Sequence, residues 1–360
     1  MNSYDISFDW RLVGNDHIKE FLEKSILNNK VAGAYIFNGP DNLGKTTLAL
    51  NFAKILLCES TKNSVGDLPC NSCSACRLIG SKRKNSKQTE SNTQESMYTE
   101  NIHGDLHVIK CEKDKKNISV TQVRELIKTL GMSSFLNSYK IGVIKHADSM
   151  NEEAANALLK TLEEPKDKVV IILVSTNLDS LPTTVKSRSQ LLNFQEVNTD
   201  SLYEHLLSDE SVDRVRAKNI SRLSLGRPAL ARKFSENNDF YETYIKRANV
   251  FVDFFRKDVN SRFSSIDELI DKKQKGQELA KQVNRILEIW QGLSRDLVLI
   301  KFGHKDLVQH QLQQDSLSDI SNSVSIKGLI GISKKLNSAK RYLKANISPR
   351  LVLEFISLNI

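Results

Sequence analysis

Two groups of residues in this chain have types and spacing suited to chemistry. The first is Gly39-Pro40-Asp41-Asn42-Leu43-Gly44-Lys45-Thr46, which has the spacing G-x-x-x-x-G-K-[ST] of a phosphate-binding loop. Glycines let the backbone wrap closely round a phosphate. A helix that follows aims its free N–H groups and positive dipole end at the same anion. Lys45 is expected to reach the β- and γ-phosphates and the Thr46 hydroxyl to sit on Mg²⁺, with Thr47 beginning the helix beside them. The second group is Cys58, Cys70, Cys73 and Cys76, spaced C-x₁₁-C-x₂-C-x₂-C. Four soft ligands converging on one point suit a closed, tetrahedral, structural Zn²⁺ site. Cys111 is left over and reads as a small core residue.

The elements that must position these groups can be read from apolar patterning. A helix is expected over 16–29, with Ile18, Phe21, Leu22, Ile26 and Leu27 on one face. The apolar arm Trp10-Arg11-Leu12-Val13-Gly14 just before it packs either on an adenine or into the core. The strand Ala34-Tyr35-Ile36-Phe37 leads into the phosphate loop, and a helix to Leu57 leads out. The segment 79–101 is polar and nearly free of apolar residues, a flexible insertion in the cysteine module. Leu106 to Ile109 reads as a short strand. Ser119 caps a helix whose buried face carries Val123, Leu126, Ile127 and Leu130. His103 and His107 read as a loop and a strand histidine rather than as metal ligands.

The strand from Tyr139 to His146 bears on catalysis. A phosphate-loop ATPase carries an Asp–Glu pair at such a strand end, to orient Mg²⁺ and polarise water. Here the two positions are Lys145 and His146, and Asp148 lies further on. A lysine repels the metal, so binding without efficient hydrolysis is expected. A helix over 151–164, stopped by Pro165, leads to the β-branched strand Val169 to Val174, whose polar end is Ser175-Thr176-Asn177. Asn177 is placed near a γ-phosphate. A last strand runs from Gln190 to Phe194. Five alternations of strand and helix predict a doubly wound parallel sheet of five strands. After about Val197 only helices are expected, including one with Leu279, Val283, Ile286, Trp290, Leu293, Leu297 and Ile300 on one face and one with Pro349 in its first turn.

The bulk numbers set limits. The chain has 360 residues, 39% of them hydrophobic, and a net charge of +9. It has room for two or three domains and for contact with a polyanion. It has no run of eighteen apolar residues to span a membrane. The start, Met1-Asn2-Ser3-Tyr4-Asp5, lacks a signal-peptide build, which points to the cytoplasm.

Several strings together resemble a known family. They are the loop at 39–46, the four cysteines, Ser119-Val120-Thr121-Gln122-Val123-Arg124-Glu125-Leu126, the string Ala154-Ala155-Asn156-Ala157-Leu158-Leu159-Lys160-Thr161-Leu162-Glu163-Glu164-Pro165, and Leu181-Pro182-Thr183-Thr184-Val185-Lys186-Ser187-Arg188. Over about the first 200 residues the chain resembles the delta-prime subunits of bacterial DNA polymerase III clamp loaders, which are AAA+ proteins. The resemblance implies an α/β AAA+ phosphate-loop base over 1–197 with a four-cysteine zinc module (58–76), a helical lid over 198–238 and an all-α collar over 239–360. It implies ATP or ADP, with Mg²⁺, as ligand and structural Zn²⁺ as a second cofactor. The implied partners are the delta and gamma/tau subunits, the sliding clamp and primer–template DNA, in the cytoplasm at the replisome and within a DNA polymerase holoenzyme.

Ser187-Arg188-Ser189 falls on the family's Ser-Arg-Cys motif, so the resemblance implies that Arg188 is the arginine finger donated to a neighbour's ATP, with Ser189 replacing the usual Cys. In Gly226-Arg227-Pro228-Ala229-Leu230, Leu230 stands where many relatives place the lid's arginine sensor, which leaves Arg227 or Arg232 to substitute. The alternatives are a catalytically active gamma/tau-like ATPase and a zinc-dependent nucleic-acid module with a vestigial nucleotide site. Lys145-His146 and the lack of an extended C-terminal tail weigh against the first.

Overall fold

A computed structural model describes residues 6–63, 66–81, 99–112, 117–134, 139–208, 212–270 and 276–360. The chain divides into two compact units: Met1–Val197 with Arg227–Ala229, and Asn198–Gly226 with Leu230–Ile360.

The first unit runs β1 (Ser7–Phe8), α1 (Asp16–Leu27), β2 (Ala34–Asn38), α2 (Lys45–Leu57), α3 (Glu59–Asn63), β3 (Asp67–Leu68), α4 (Ser74–Ser81), β4 (Thr99–His103), β5 (Leu106–Ile109), α5 (Val120–Leu130), β6 (Lys140–Lys145), α6 (Glu152–Glu163), β7 (Val169–Ser175), α7 (Thr183–Lys186) and β8 (Gln190–Asn193). The main sheet has the order β4-β5-β6-β7-β2-β8. The five strands from β5 to β8 are parallel, as the alternating pattern predicts. β4 adds an antiparallel edge, with Thr99 opposite Ile109. β7 is buried along its whole length, as a parallel strand covered on both faces must be. One face packs Tyr35, Phe37, Val143, Val170, Ile172 and Val174 against α1 and α2. The other packs Ile36, Ile144, Ile171 and Leu173 against Val123 and Leu126 of α5 and Leu158 of α6.

Local sequence explains the helix boundaries. Ser119 and Gln122 form a reciprocal capping box: Ser119 Oγ accepts from the Gln122 backbone N–H at 3.3 Å and Gln122 Oε1 accepts from that of Ser119 at 3.0 Å. Such a cap is worth about 1 kcal/mol. Asn151 Oδ1 caps α6 by accepting from Ala154 N at 2.9 Å, and buried Ala154 and Ala155 let that helix approach the sheet closely.

The polar insertion expected over 79–101 is shorter than its composition suggests. Residues 79–81 close α4, with Ile79 buried in the first core, and 99–101 belong to β4. Residues 82–98 lie outside the described residues. Backbone pairing to β5 holds the polar stretch in a strand that no apolar pattern announces.

The second unit is helical throughout its described residues: α8 (Thr199–Leu207), α9 (Arg214–Leu223), α10 (Pro228–Glu236), α11 (Asn238–Phe254), α12 (Val259–Leu269), α13 (Gly276–Lys301), α14 (Gln314–Ser323), α15 (Ile326–Lys344) and α16 (Pro349–Leu358). It holds two apolar clusters. One gathers Leu202, Ile220, Phe234 and Tyr241. The other gathers Phe251, Trp290, Leu336 and Leu353, with α13 as its spine. Every one of Val283, Ile286, Trp290, Leu293, Leu297 and Ile300 is buried there, which is the face predicted from their spacing.

Candidate functional sites

The phosphate loop leaves the C-terminal end of β2 and enters α2 at Lys45. Two positions in it need glycine. Gly39 has φ 141° and a Cβ there would stand 2.7 Å from the Phe194 carbonyl oxygen; Gly44 has φ 91° and its Cβ would stand 2.7 Å from Leu12 Cδ1. Lys45 is 4% exposed. Its ammonium donates to the Gly39 carbonyl and, at 2.5 Å, to the Pro40 carbonyl. Burial pushes its pKa down, Asp41 and Asp148 oppose that, and Arg227 adds to it. A cation is therefore held inside the loop by backbone oxygens, where a phosphate would offer stronger charge-assisted bonds. Thr46 and Thr47 are half-buried in the first turn of α2.

The arm before α1 resolves toward the core. Trp10 is buried, stacks on Phe8 with ring centroids 5.7 Å apart and donates to Glu23 Oε1 at 2.7 Å. Asn51 of α2 donates to the Trp10 carbonyl at 2.6 Å. Leu12, two residues on, covers Gly44.

Facing the loop are the ends of β6 and β7. Side chains alternate along a strand. Ile141 and Val143 face α1 and α2, whereas Ile144 faces α5 and α6. Lys145 therefore ends β6 on the face of the phosphate-loop helix, where a metal-orienting acid is expected. His146 follows, exposed, with φ 55°. Asp148 is turned to the next strand end: Oδ2 accepts from Thr176 Oγ1 at 2.9 Å and Oδ1 from Thr176 N at 3.2 Å. This Asp148–Thr176 pair was not legible as a unit in the sequence; the signal was only a polar residue after each apolar run. Asn177 lies just past β7, exposed, and its Oδ1 accepts from Asp179 N at 3.1 Å.

Arg227 groups with the first unit. The Ala229 backbone N–H donates to the Asn42 carbonyl at 3.0 Å, which ties this segment to the phosphate loop, and Arg227 approaches Glu196 at 3.5 Å. Arg232 pairs instead with Glu236 of its own helix at 2.7 Å. Of the two candidate substitutes, Arg227 is the one electrostatically coupled to Lys45.

Arg188 lies at the other edge of the sheet. β8 begins at Gln190, and Tyr35 near the start of β2 pairs with it. Arg188 thus precedes the N-terminal ends of the strands, while the phosphate loop follows their C-terminal ends. Five residues of β2 separate the edges by about 16 Å. Arg188 Nη2 meets Glu163 Oε1 at 2.9 Å, and Nη1 donates to the Thr184 carbonyl at 3.2 Å. The guanidinium borders a cleft of about 300 Å³ with Ala32, Gly33, Pro165 and Gln190. Ser189 donates to the Val185 carbonyl at 2.9 Å, so its hydroxyl steadies the turn that presents Arg188. Glu163 is a partner that sequence reasoning missed, since it depends on α6 packing against α7.

The four cysteines come together. Their sulfurs lie within 4.8 Å of one another, close to the about 3.8 Å edge of a tetrahedron with ~2.3 Å metal–sulfur bonds. Cys58 caps the end of α2 and Cys76 lies on α4. Cys70 N donates to Cys58 Sγ at 3.4 Å and Cys73 N to Cys70 Sγ at 3.3 Å, which favours thiolates. A hydrogen bond from Cys76 pulls Cys58 down to about 4, and Cys76 is pushed up in return. Burial pushes Cys70 up, but bonds from Ser72 and from the Cys73 backbone outweigh it and leave Cys70 at about 7. The donor set fits a structural zinc ion. Cys111 packs at the edge of the second core face. His103 and His107 are not in the cluster. His107 is buried in β5 with Nε2 3.1 Å from the Gly104 carbonyl oxygen, and burial pushes its pKa down. His103 ends β4 rather than lying in a loop.

Comparison with known proteins agrees with this geometry. The sequence model of the family described as DNA polymerase III, delta subunit, matches residues 14–198, just over half of the chain. The DNA polymerase III subunit delta' of Bacillus subtilis is 26% identical over 348 residues, 95% of this chain and 94% of that protein. Subunit tau of the same organism is 24% identical over 370 residues, 95% of this chain but 59% of tau. Subunit delta' of Pseudomonas aeruginosa is 34% identical over 157 residues, 44% of this chain and 41% of that protein. Among solved structures, a DNA polymerase III gamma subunit-related protein from Thermotoga maritima aligns with a TM-score of 0.49 and 15% identity, covering 96% of this chain and 97% of that one. With the family match covering the phosphate loop, the cysteines and Arg188, the chain belongs to the DNA polymerase III delta subunit family.

Proposed function

We propose that this chain is a delta-prime-like subunit of a bacterial clamp loader, which helps place a sliding clamp on primed DNA during chromosomal replication. In this reading residues 1–197 are the nucleotide-binding base, 198–238 a helical lid and 239–360 a collar that joins delta and gamma/tau subunits. The two separate apolar clusters of the second unit support the lid and collar division. The protein works in the cytoplasm at the replisome; no helix among its described residues is long and apolar enough to cross a membrane. Cys58, Cys70, Cys73 and Cys76 hold a structural Zn²⁺, which ties the end of α2 to α4 and so steadies the helix that begins at the phosphate loop.

The base binds ATP or ADP. Gly39 and Gly44 let the loop close on the phosphates, Lys45 exchanges its two carbonyl partners for phosphate oxygens, and Thr46, Thr47, Asn177 and Arg227 line the same end of the sheet. The chain itself hydrolyses little, because no carboxylate ends β6 to orient a metal ion and a water. Its contribution to hydrolysis is made in trans. Arg188 leaves Glu163 and offers its planar donors to the γ-phosphate of nucleotide bound by the neighbouring subunit, stabilising the charge that develops in transfer.

The observation that carries this reading is the separation of Arg188 from its own phosphate loop by the full length of β2. A guanidinium at that edge is out of reach of the chain's own nucleotide and accessible to another subunit's. Similarity to tau over nearly the whole chain supports a second reading, an active gamma/tau-like motor; Lys145 weighs against it. Turnover by the isolated chain separates the two. Binding with negligible hydrolysis is expected. Sustained Mg²⁺-dependent hydrolysis that Lys45→Ala abolishes would favour the motor. Strong DNA binding by the isolated chain that is lost when zinc is chelated would instead favour a zinc-dependent nucleic-acid module.

A further inference from the structure

Helix α15 carries six cations, Lys327, Lys334, Lys335, Lys340, Arg341 and Lys344, and no acid. Two of the six are engaged: Lys335 donates to the Asn359 carbonyl at 2.8 Å, and Lys340 reaches Glu288 of α13 at 3.8 Å. Lys327, Lys334 and Arg341 recur every seven residues, two helical turns, so they form one line along the helix. That line lies opposite the buried row Leu329, Ile332, Leu336, Ala339 and Leu343, and all three cations are exposed. Among the described residues no carboxylate pairs with any of the three; Arg341 donates to the Ser338 hydroxyl at 2.9 Å. The acids of the helices packed along α15 are occupied elsewhere. Glu288 serves Lys340, Asp296 is buried against His310, and Glu354 pairs with Arg350. Gln291 meets Asn337 and Ser294 meets Ser333, so α13 runs antiparallel to α15, and Glu278 at the start of α13 lies beyond the C-terminal end of α15.

Gly331 and Ser338 stand between the cations on the same line. A Cβ at Gly331 would meet nothing within 4 Å, whereas one at Gly328 would stand 2.9 Å from Val324 Cγ1. No internal packing therefore requires the glycine at 331. Glycine is the poorest helix former after proline, so its presence in mid-helix, with open space above it, keeps the surface low for something outside the chain. That partner is not an apolar one. Exposed Ile326 and Ile330 are followed at helical spacing by Ser333, Asn337 and Lys344, which is no anchor set for a hydrophobic groove. Tyr342, the helix's one aromatic residue, is edge-on to Phe355 with ring centroids 5.5 Å apart, which leaves no free platform of the kind that single strands stack on. Three cations on a straight line of about 21 Å suit a stiff rod of phosphates, and duplex DNA carries about twelve over that length.

We propose that this outer face of α15 binds the sugar–phosphate backbone of duplex DNA, with Lys327, Lys334 and Arg341 on phosphates and Gly331 letting the backbone approach the helix closely. The proposal rests on the clamp-loader reading above, in which primed DNA is the polyanion at hand. It adds a contact surface on a helix outside the unit that carries the phosphate loop and the cysteines. Contacts of this kind position a duplex without reading its sequence.

The experiment is fluorescence anisotropy of a labelled duplex of about 20 bp with the purified full-length chain, from about 50 to 200 mM salt. Three phosphate contacts predict a slope of log affinity against log salt of about −2.7. Lys327→Gln, Lys334→Gln and Arg341→Gln together are expected to cut affinity at the lowest salt by about tenfold or more and to flatten the slope toward zero. A control that removes the same charge from exposed ion pairs, Lys24→Gln, Lys246→Gln and Arg256→Gln, is expected to stay within about twofold of wild type. Gly331→Leu keeps every charge and improves helix propensity, so its melting temperature should not fall, yet its affinity should drop by about threefold or more. The proposal is overturned by no duplex binding at the lowest salt, by equal losses in the two triple variants, or by wild-type affinity in Gly331→Leu. Tighter binding of a single strand, or of polyglutamate of equal charge, overturns it as well. Each of these results leaves the clamp-loader reading standing, because that reading fails on a different measurement, ATP turnover of the reconstituted complex that is indifferent to Arg188→Ala.

Discussion

The two edges of one parallel sheet treat their cationic side chains in opposite ways. At the C-terminal edge Lys45 is almost wholly buried and bonded to the carbonyls of its own loop. At the N-terminal edge Arg188 is 36% exposed, and its ion pair with Glu163 faces solvent, Glu163 being 49% exposed. Exposed pairs of this kind are worth about 0–1 kcal/mol. The first arrangement suits a charge that waits for an anionic ligand, the role proposed for Lys45. The second keeps a charge oriented but easily released, as a group lent to another molecule must be. In the function proposed above, the same fold receives a phosphate at one edge and gives a guanidinium at the other, and the two roles need not be catalytically linked within one chain.

The largest expected effect lies at the lending edge. In a complex reconstituted with its partner subunits, Arg188→Ala should lower stimulated ATP turnover by about 10²–10³-fold, toward the range lost with arginine fingers elsewhere. The isolated variant should bind nucleotide like the wild type. A parallel loss of nucleotide binding in the isolated chain would show that the edges are not independent.

Next in size is Lys45→Ala, expected to weaken nucleotide binding by the isolated chain by at least tenfold, since a charge-assisted contact to phosphate is worth about 1.5–3 kcal/mol. Calorimetry reads it. Retention of full affinity would mean that Lys45 stays on Gly39 and Pro40 when ligand arrives.

Cys73→Ser tests the module that fastens the far end of α2. Metal content should fall, and the melting temperature should drop by about 5 °C or more, given roughly 2–4 °C per kcal/mol for units of this size. Unchanged stability with no bound metal would remove the structural role from the cysteines.

The smallest effect is expected for Glu163→Gln. It frees Arg188 from an exposed pair, so stability should change by under about 1 kcal/mol in denaturant unfolding and turnover in the complex by less than about twofold. A loss as deep as that of Arg188→Ala would make Glu163 an obligatory orienting group rather than a resting partner.

Legibility followed sequence distance. The phosphate loop, the cysteine cluster, the Ser119 cap and the buried stripe of α13 are local patterns, and each holds in the fold. Pairings made by tertiary packing were not visible. Glu163 meets Arg188 only because α6 packs on α7, and Asp148 meets Thr176 only because β6 and β7 are neighbours. The antiparallel strand β4 was hidden because an edge strand is held by backbone pairing and its residues follow no apolar alternation. The return of Arg227–Ala229 to the first unit was likewise silent, since it rests on tertiary contacts: the Ala229 hydrogen bond to Asn42 and the approach of Arg227 to Glu196.

The central claim is that this chain's nucleotide loop and its catalytic contribution are separate. The most direct test is steady-state ATP turnover of the reconstituted complex in which only this chain carries either Arg188→Ala or Lys45→Ala. Turnover that collapses with Arg188→Ala and stays within about threefold of wild type with Lys45→Ala is the predicted result. Turnover that survives Arg188→Ala and collapses with Lys45→Ala would contradict the account, because hydrolysis would then occur at this chain's own loop.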